Sequence, residues 1–287
     1  MIRVAISLQR IVVSALILTS IVGVLNLTPS QPAYAAAYTI APGGGDCNTI
    51  GVWDAKRLKC TLKFDIIGNI EITGDGITLD GAQHTLTGDG TGTGVLLVGR
   101  TGVTVKNVIV ENFHTGIFLD ESDGNTLTRN TANSNVVGIR IDSNSNTLTG
   151  NTANSNDIVG IGLTNGATGN TLTGNTANSN DFNGIGLDEG SNSNTLTSNT
   201  ANSNDVNGIV IFTDNNILQK NTASFNLFNG FRLSFDINTT LKGNTANSNG
   251  AFGYDSNTST GLLFSKNKCS GNGSGGSDPT GLCLPQP

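Results

Sequence analysis

Residues Asn146–Asp157 read NTLTGNTANSND; the same letters return at Asn170–Asp181 and, with Ser198 in place of the glycine, at Asn194–Asp205. Asn125–Asn135 (NTLTRNTANSN) opens the series, and Asn216–Asn226 closes it in degraded form. Successive units begin 21, 24, 24 and 22 positions apart, a period that belongs to solenoids and arrays. Function is therefore to be sought on a repetitive surface.

Within one unit the apolar residues stand singly between polar ones: Leu172, Ala177, then Ile185 and Leu187. Alternation with period two predicts three short strands per unit, and the spacing of an amphipathic helix is absent. If each unit makes one turn of a coil, equivalent residues stack at about 4.8 Å, and Leu148, Leu172 and Leu196 form an inward column. Ile117/Leu119, Ile139/Ile141, Ile161/Leu163, Ile209/Ile211 and Phe231/Leu233 keep the same phase. These in-phase columns argue against a disordered low-complexity tract.

Gly116, Gly138, Gly160, Gly184, Gly208 and Gly230 precede those strands, which predicts either positive φ or a backbone approach that a Cβ would block. Asn130, Asn151, Asn175, Asn199, Asn221 and Asn244 form one recurrent column, and Asn135, Asn156, Asn180, Asn204, Asn226 and Asn249 another. Amide ladders at the corners would satisfy such inward polar groups; ordinary solvent-facing turn asparagines are the other reading.

The motif N-T-L-T-G-N-T-A-N-S-N-D-x-x-G-I-x-L resembles the right-handed parallel β-helix repeats of the NosD-like family, and residues 76–88 (GITLDGAQHTLTG) are similar to the opening rungs of such proteins. The resemblance implies an all-β chain folded as a single right-handed parallel β-helix. It implies no one activity, because β-helices of this kind serve unlike roles.

Arg3, Arg10, the apolar run Ile11–Leu27 and the small residues Ala33-Tyr34-Ala35 read as a secretory signal over residues 1–35, with cleavage after Ala35 or Ala37. An uncleaved anchor is the alternative, at the short limit for a span. An N-terminal cap is expected over 36–61, repeats over 62–272 in about nine rungs, and a C-terminal tail or cap over 273–287. Cys47 and Cys60 before the repeats and Cys269 and Cys283 after them predict two disulfides paired with their sequence neighbours. Such staples suit a solenoid, whose end rungs would otherwise template aggregation.

Loss of the signal removes two of 15 basic residues, leaving 13 against 21 acidic ones, a net charge of −8. Nucleic acid and anionic lipid are unsuited partners for such a chain, and no membrane contact is expected once the signal is gone. No catalytic signature of the strong kind appears. Of three function classes, the first is a structural or binding exoprotein that engages carbohydrate or cell-envelope glycan. The outward columns Phe118, Arg140, Gly162, Gly186, Val210, Arg232 and Asp120, Asp142, Thr164, Asp188, Phe212, Ser234 predict a flat groove with Arg140, Asp142, Asp188, Phe212 and Arg232 around it. A solvated strand face is the plainer reading.

The second class is a polysaccharide lyase, epimerase or hydrolase, suggested by related β-helices that act on polyuronates. Its residues would be the acidic cluster Asp120, Glu121, Asp123, Arg129, Arg140 and Asp142, with Lys106, Glu111 and His114 one rung earlier. The third, copper handling, follows only from the family name. Copper needs thiolates, thioethers or clustered imidazoles, and the chain has Met1 as its one methionine and two well-separated histidines, His84 and His114. No cofactor is therefore expected, with one competing reading. Asp157, Asp181 and Asp205 share a repeat position; their carboxylates either splay into solvent or share a cation such as Ca²⁺.

Thr126/Thr128, Thr147/Thr149, Thr171/Thr173 and Thr195/Thr197 flank buried leucines as two outward ranks. They resemble the T-x-T faces of β-solenoid ice-binding proteins, and ice binding is a further alternative. Threonine is also simply a favoured residue on exposed strands.

Overall fold

The structure, a computed structural model, describes residues 38–256 and 258–285. The expected signal segment lies outside the described residues. The chain coils as a right-handed-type parallel β-helix of about ten turns. Three faces run along the coil. The Ile face carries the G-I-x-L strands in an eleven-stranded sheet from Tyr38–Ile40 to Gly275–Asp278, and the Thr face carries the T-L-T strands in a second eleven-stranded sheet. The Ala face begins as a four-stranded sheet, continues through single parallel bridges linking Thr131, Thr152, Thr176, Thr200, Thr222 and Thr245, and ends as a three-stranded sheet. The repeats alone suggest fewer turns, because Tyr38–Ile40 already pairs with Ile70–Ile72 and Gly275–Asp278 with Phe252–Asp255.

Each face sends one apolar column inward. Leu127, Leu148, Leu172, Leu196, Leu218 and Leu241 of the Thr face are fully buried, as are Ile117, Ile139, Ile161, Ile185 and Ile209 of the Ile face. Complete burial of such a side chain contributes about 1.5–3 kcal/mol. The Ala face contributes Ala132, Ala153, Ala177, Ala201, Ala223 and Ala246, and its small side chains mark the narrow corner of the coil. A Cβ on Gly184 would lie 2.7 Å from the Ala177 carbonyl oxygen, from Asn204 Nδ2 and from the Gly208 carbonyl oxygen. Close approach therefore selects the glycines that precede the Ile strands, and positive φ does not. Positive φ falls elsewhere, on corner residues such as Ser155, Ser179 and Ser203 at 53°, 55° and 56°.

Both asparagine columns are buried ladders. Asn130 Oδ1 accepts the Val108 N–H; from Asn151 to Asn244 each side-chain oxygen accepts from the preceding asparagine, and each Nδ2 donates to a carbonyl of the preceding rung, as Asn199 does to Leu172 at 2.9 Å. Solvent-facing turn asparagines are ruled out by exposures of 0–1% along that column. A third ladder, Asn125–Asn146–Asn170–Asn194–Asn216, runs between the Ile and Thr faces and ends on the Thr239 hydroxyl. In the sequence its members are the first asparagines of the repeat units.

The disulfides pair Cys47 with Cys60 and Cys269 with Cys283, with Cα separations of 5.7 and 5.8 Å. Cys60 stands in register with Leu79 and Cys269 with Ala246, so each bridge starts from an inward column. At the N-terminal end a four-residue helix, Cys47–Ile50, precedes the one antiparallel pair among the described strands, Gly51–Asp54 with Lys59–Leu62, which closes the edge of the Thr sheet. At the other end Phe231 stacks on Tyr254, 4.9 Å between ring centroids. Among the described residues no helix is long and apolar enough to cross a membrane.

Candidate functional site

The outward surface of the Ile face is the richest in chemistry. Parallel pairing sets Arg140 beside Phe118 on one side and Gly162 on the other, then Gly186, Val210 and Arg232 in turn. The arginine guanidinium lies over the Phe118 ring, 4.8 Å from its centroid, the geometry of a cation–π contact. It also forks onto Asp142, Nε to Oδ1 at 3.0 Å and a terminal nitrogen to Oδ2 at 2.6 Å. Asp142 further accepts the Thr164 hydroxyl and, at 2.7 Å, Asn165 Nδ2. The Asp142 side chain is therefore only 4% exposed. Phe118 and Thr164 stand in the outward columns read from the sequence, but their contacts with Arg140 and Asp142, and the part of Asn165, come from the fold. Asn165 belongs to the side loop 164–169, whose function as a clasp over Asp142 depends on cross-rung contact that the repeat pattern does not encode.

Beyond Arg140 the floor drops. A Cβ on Gly186 would meet only Val159 Cγ2 at 3.9 Å, and one on Gly162 only Val159 Cγ1 at 3.6 Å. Asp188 and half-buried Phe212 border this bare floor on successive rungs. Burial pushes the Asp188 carboxyl up, helped by Glu189 and Asp142 and opposed by the Glu189 N–H bond and by Arg140. Burial also raises Asp120, with Asp142 and Glu121 adding to it and Arg140 opposing. His114 is pushed down by burial and then by the Arg140 charge, so its neutral imidazole is favoured. On the other border Val136, Ile158, Phe182, Val206 and Phe228 occupy successive rungs, all half-buried.

Arg232 shares the Arg140 column but does not point a free charge at solvent. It is 8% exposed, and its Nε donates to Ser234 Oγ at 3.3 Å. Burial lowers its pKa, against the opposing pull of Asp255. The wider acidic cluster is dispersed by the three-faced coil. Lys106 lies on the Thr face, 3.4 Å from Asp80; Glu111 lies on the Ala face, 3.3 Å from the Thr87 hydroxyl; and Arg129 is exposed at a corner. Asp123 accepts the Asn144 N–H at 2.6 Å. Neighbours along the chain here face different directions, so Asp120, Arg140 and Asp142 stay together, with Glu121 close enough to act on Asp120 and His114 close enough to feel Arg140. Asp157, Asp181 and Asp205 are exposed on successive rungs.

A resident copper would need a converging soft or imidazole donor set. His84 sits before the Thr85–Thr87 strand with Nδ1 3.1 Å from Asp65, whereas His114 sits before the Thr115–Asp120 strand beside the Thr115 hydroxyl. The four cysteines are oxidised in pairs, and among the described residues no three His, Cys, Asp or Glu side chains gather to hold a metal. The donors among the described residues do not fit copper.

Among solved structures the chain is similar to the A-module of mannuronan C-5 epimerase AlgE6 from Azotobacter vinelandii, with a TM-score of 0.60 and 15% identity over 79% of this chain and 76% of that one. A mutant of the periplasmic alginate epimerase AlgG gives a TM-score of 0.54 and 16% identity over 85% and 81%. The Dettilon tailspike protein gives 0.58 and 15% over 86% and 66%. At these identities the likeness is one of fold. No curated protein sequence matches the chain. The model of the family described as periplasmic copper-binding protein (NosD) matches residues 60–217, more than half of the sequence, and the chain belongs to that NosD family.

Proposed function

We propose that the protein is an extracytoplasmic binding protein that holds a neutral polysaccharide along the Ile face, over Gly162 and Gly186. One observation carries this reading: a two-glycine floor without side chains, half-buried at Gly186 and buried at Gly162, is bordered by a carboxylate, Asp188, and an aromatic ring, Phe212. Carboxylates accept paired hydrogen bonds from vicinal hydroxyls, and a ring supplies an apolar platform for a sugar face. Asp188 accepts the Glu189 N–H at 2.9 Å through Oδ1, which leaves Oδ2 for a ligand. The half-buried rings Phe182 and Phe228 lie two rungs apart, about 10 Å by strand spacing, a length on the scale of two sugar units in an extended chain.

Charge selects the class of glycan. Among the described residues Asp120 and Asp188 share the face without a paired cation, because Arg140 is engaged by Asp142 and Arg232 is buried. A polyuronate would meet uncompensated like charge. The two disulfides accord with life outside the cytoplasm. A glycan array tests the reading: neutral glycans should bind, and Asp188→Asn or Phe212→Ala should weaken binding on the order of 10-fold or more. Retention of uronates alone, or no retention of any glycan, would sink it.

A second reading is a polysaccharide-modifying enzyme. It is favoured by two carboxyls of one outward column, Asp120 and Asp188, held protonated to higher pH by burial, and by His114, whose imidazole is kept neutral by burial and the Arg140 charge. Incubation with mannuronan or a neutral glucan separates the two readings. Epimerised, unsaturated or shortened product that disappears in Asp188→Asn would establish turnover.

A further inference from the structure

The Thr face is a second surface with its own regularity. Pairing keeps Thr126, Thr147, Thr171 and Thr195 in one rank and Thr128, Thr149, Thr173 and Thr197 in the other, with no slip between rungs. The first rank extends further than the sequence motif shows. Thr78 pairs with Thr104 and Thr104 with Thr126, so six consecutive rungs carry threonine there. At strand spacing that rank is roughly 24 Å long. The leucines between the ranks are fully buried, so methyls and hydroxyls alone face outward.

None of these eight paired threonines donates or accepts a side-chain hydrogen bond within the described protein. Three of their corners are small, Gly150, Gly174 and Ser198 following the second rank, while exposed Arg129 follows Thr128. Charge stands at the ends, with Asp80 and Lys106 before the paired ranks, Arg129 at the corner of the first paired rung, and Lys220 and Lys242 after them. The buried ladders and columns beneath hold the spacing, about 4.8 Å along the coil and roughly 6.6 to 7 Å across it.

A dissolved small ligand prefers a concave, largely apolar pocket, and this face is a flat sheet. A polyelectrolyte needs opposing charge, and a single sugar chain favours aromatic platforms; the ranks supply neither. What the face does offer is a two-dimensional period of free hydroxyls and methyls, on the scale at which oxygen atoms repeat on the surface of ice. We propose that the Thr face binds crystalline water, with waters held by the hydroxyls along both ranks joining the lattice. The rigid scaffold carries the ordering cost before contact, so many weak contacts can add.

The test is thermal hysteresis and ice-crystal shape for the purified full chain. The wild-type protein should depress the growth temperature below the melting point and facet the crystals. Thr149→Lys combined with Thr173→Lys should lose both effects, whereas Thr176→Lys combined with Thr200→Lys on the Ala face should retain them, and melting curves establish that both variants fold. Asp188→Asn should leave hysteresis unchanged, because it alters a different face; failure of glycan binding and failure of ice binding are thus read separately. Round crystals and freezing like an inert protein would overturn the proposal. So would hysteresis that survives the Thr149/Thr173 change, or retention on crystalline polysaccharide powder without any effect on ice.

Discussion

Asn151 donates its backbone N–H and its Nδ2 to Oδ1 of Asn175, at 2.9 and 3.0 Å, so a single amide oxygen closes two bonds from the rung before. Asn175 also donates its Nδ2 to the Leu148 carbonyl at 3.0 Å. Replacement by Ala takes the acceptor from the Asn151 N–H and removes one bond each from Asn151 Nδ2, the Leu148 carbonyl and Asn199 Oδ1; a buried group left unsatisfied costs about 1–3 kcal/mol. Asn175→Ala should therefore lose about 3 kcal/mol or more in denaturant unfolding. Asn178→Ala, at a half-buried position whose Oδ1 accepts one N–H from Asn202 at 2.7 Å, should cost about 1 kcal/mol.

Three glycines of one rung should respond differently to Ala. Gly184→Ala drives a Cβ to 2.7 Å from two carbonyl oxygens and an amide nitrogen, and overpacking of that kind costs about 1–3 kcal/mol or more. Gly174 has φ +63° and nothing within 4 Å, so its Ala variant should lose only about 1 kcal/mol of backbone preference. Gly186 has ordinary φ and open space; its Ala variant should fold like wild type. Melting temperatures in the order Gly186→Ala, Gly174→Ala, Gly184→Ala, highest first, check the assignment.

Asp236 stands where Ser122, Ser143 and Ser191 stand on other rungs, fully buried with neither carboxyl oxygen in a regular hydrogen bond. Burial pushes it up to about 7, partly opposed by the Thr239 hydroxyl and reinforced by Asp214. The folded state therefore holds a proton that the unfolded chain gives up near pH 4. Stability from this group is full below about pH 4 and is lost as pH rises towards about 7, by up to about 1.4 kcal/mol per unit. Asp236→Asn should remove that slope. Its advantage over wild type, followed by denaturant midpoints, should grow across this window and level off above it.

Arg140→Gln removes the charge that helps keep the His114 imidazole neutral. Burial, the larger cause, remains. An NMR titration should therefore show the His114 pKa rise while staying below the ordinary histidine value. No movement would mean that Arg140 is not electrostatically coupled to the ring.

Reduction of both disulfides should fray the ends first. The bridges span separations of 13 and 14 residues, and loops of that size are worth about 3 kcal/mol each in the chain-entropy model. Hydrogen exchange after reduction should accelerate in Gly51–Leu62 and Lys268–Asp278 while the strands of the central repeats stay protected.

Local pattern made much of this protein legible. The alternation around Leu172 and Ile185, the period of the repeats, the two asparagine ladders and the pairing of the cysteines all follow from residues that recur at one position, because stacking converts sequence period into contact. Cys269 could be placed against Ala246 for the same reason. Other features required the coil itself. Whether Gly184 answers a torsional or a steric demand depends on the Gly208 carbonyl of the next rung. Whether Lys106, Glu111 and Arg129 join Asp120 and Asp142 depends on which of three faces each strand takes, and one corner residue is enough to send them apart. The engagement of Arg140 by Asp142, the burial of Arg232 and the solitary carboxyl of Asp236 arise where the repeat is broken, and there no neighbouring unit supplies a template. Sequence determined the scaffold by repetition; tertiary structure decided the surface chemistry, because charge and exposure at each exception are set by groups on adjacent rungs some 22 to 24 positions away.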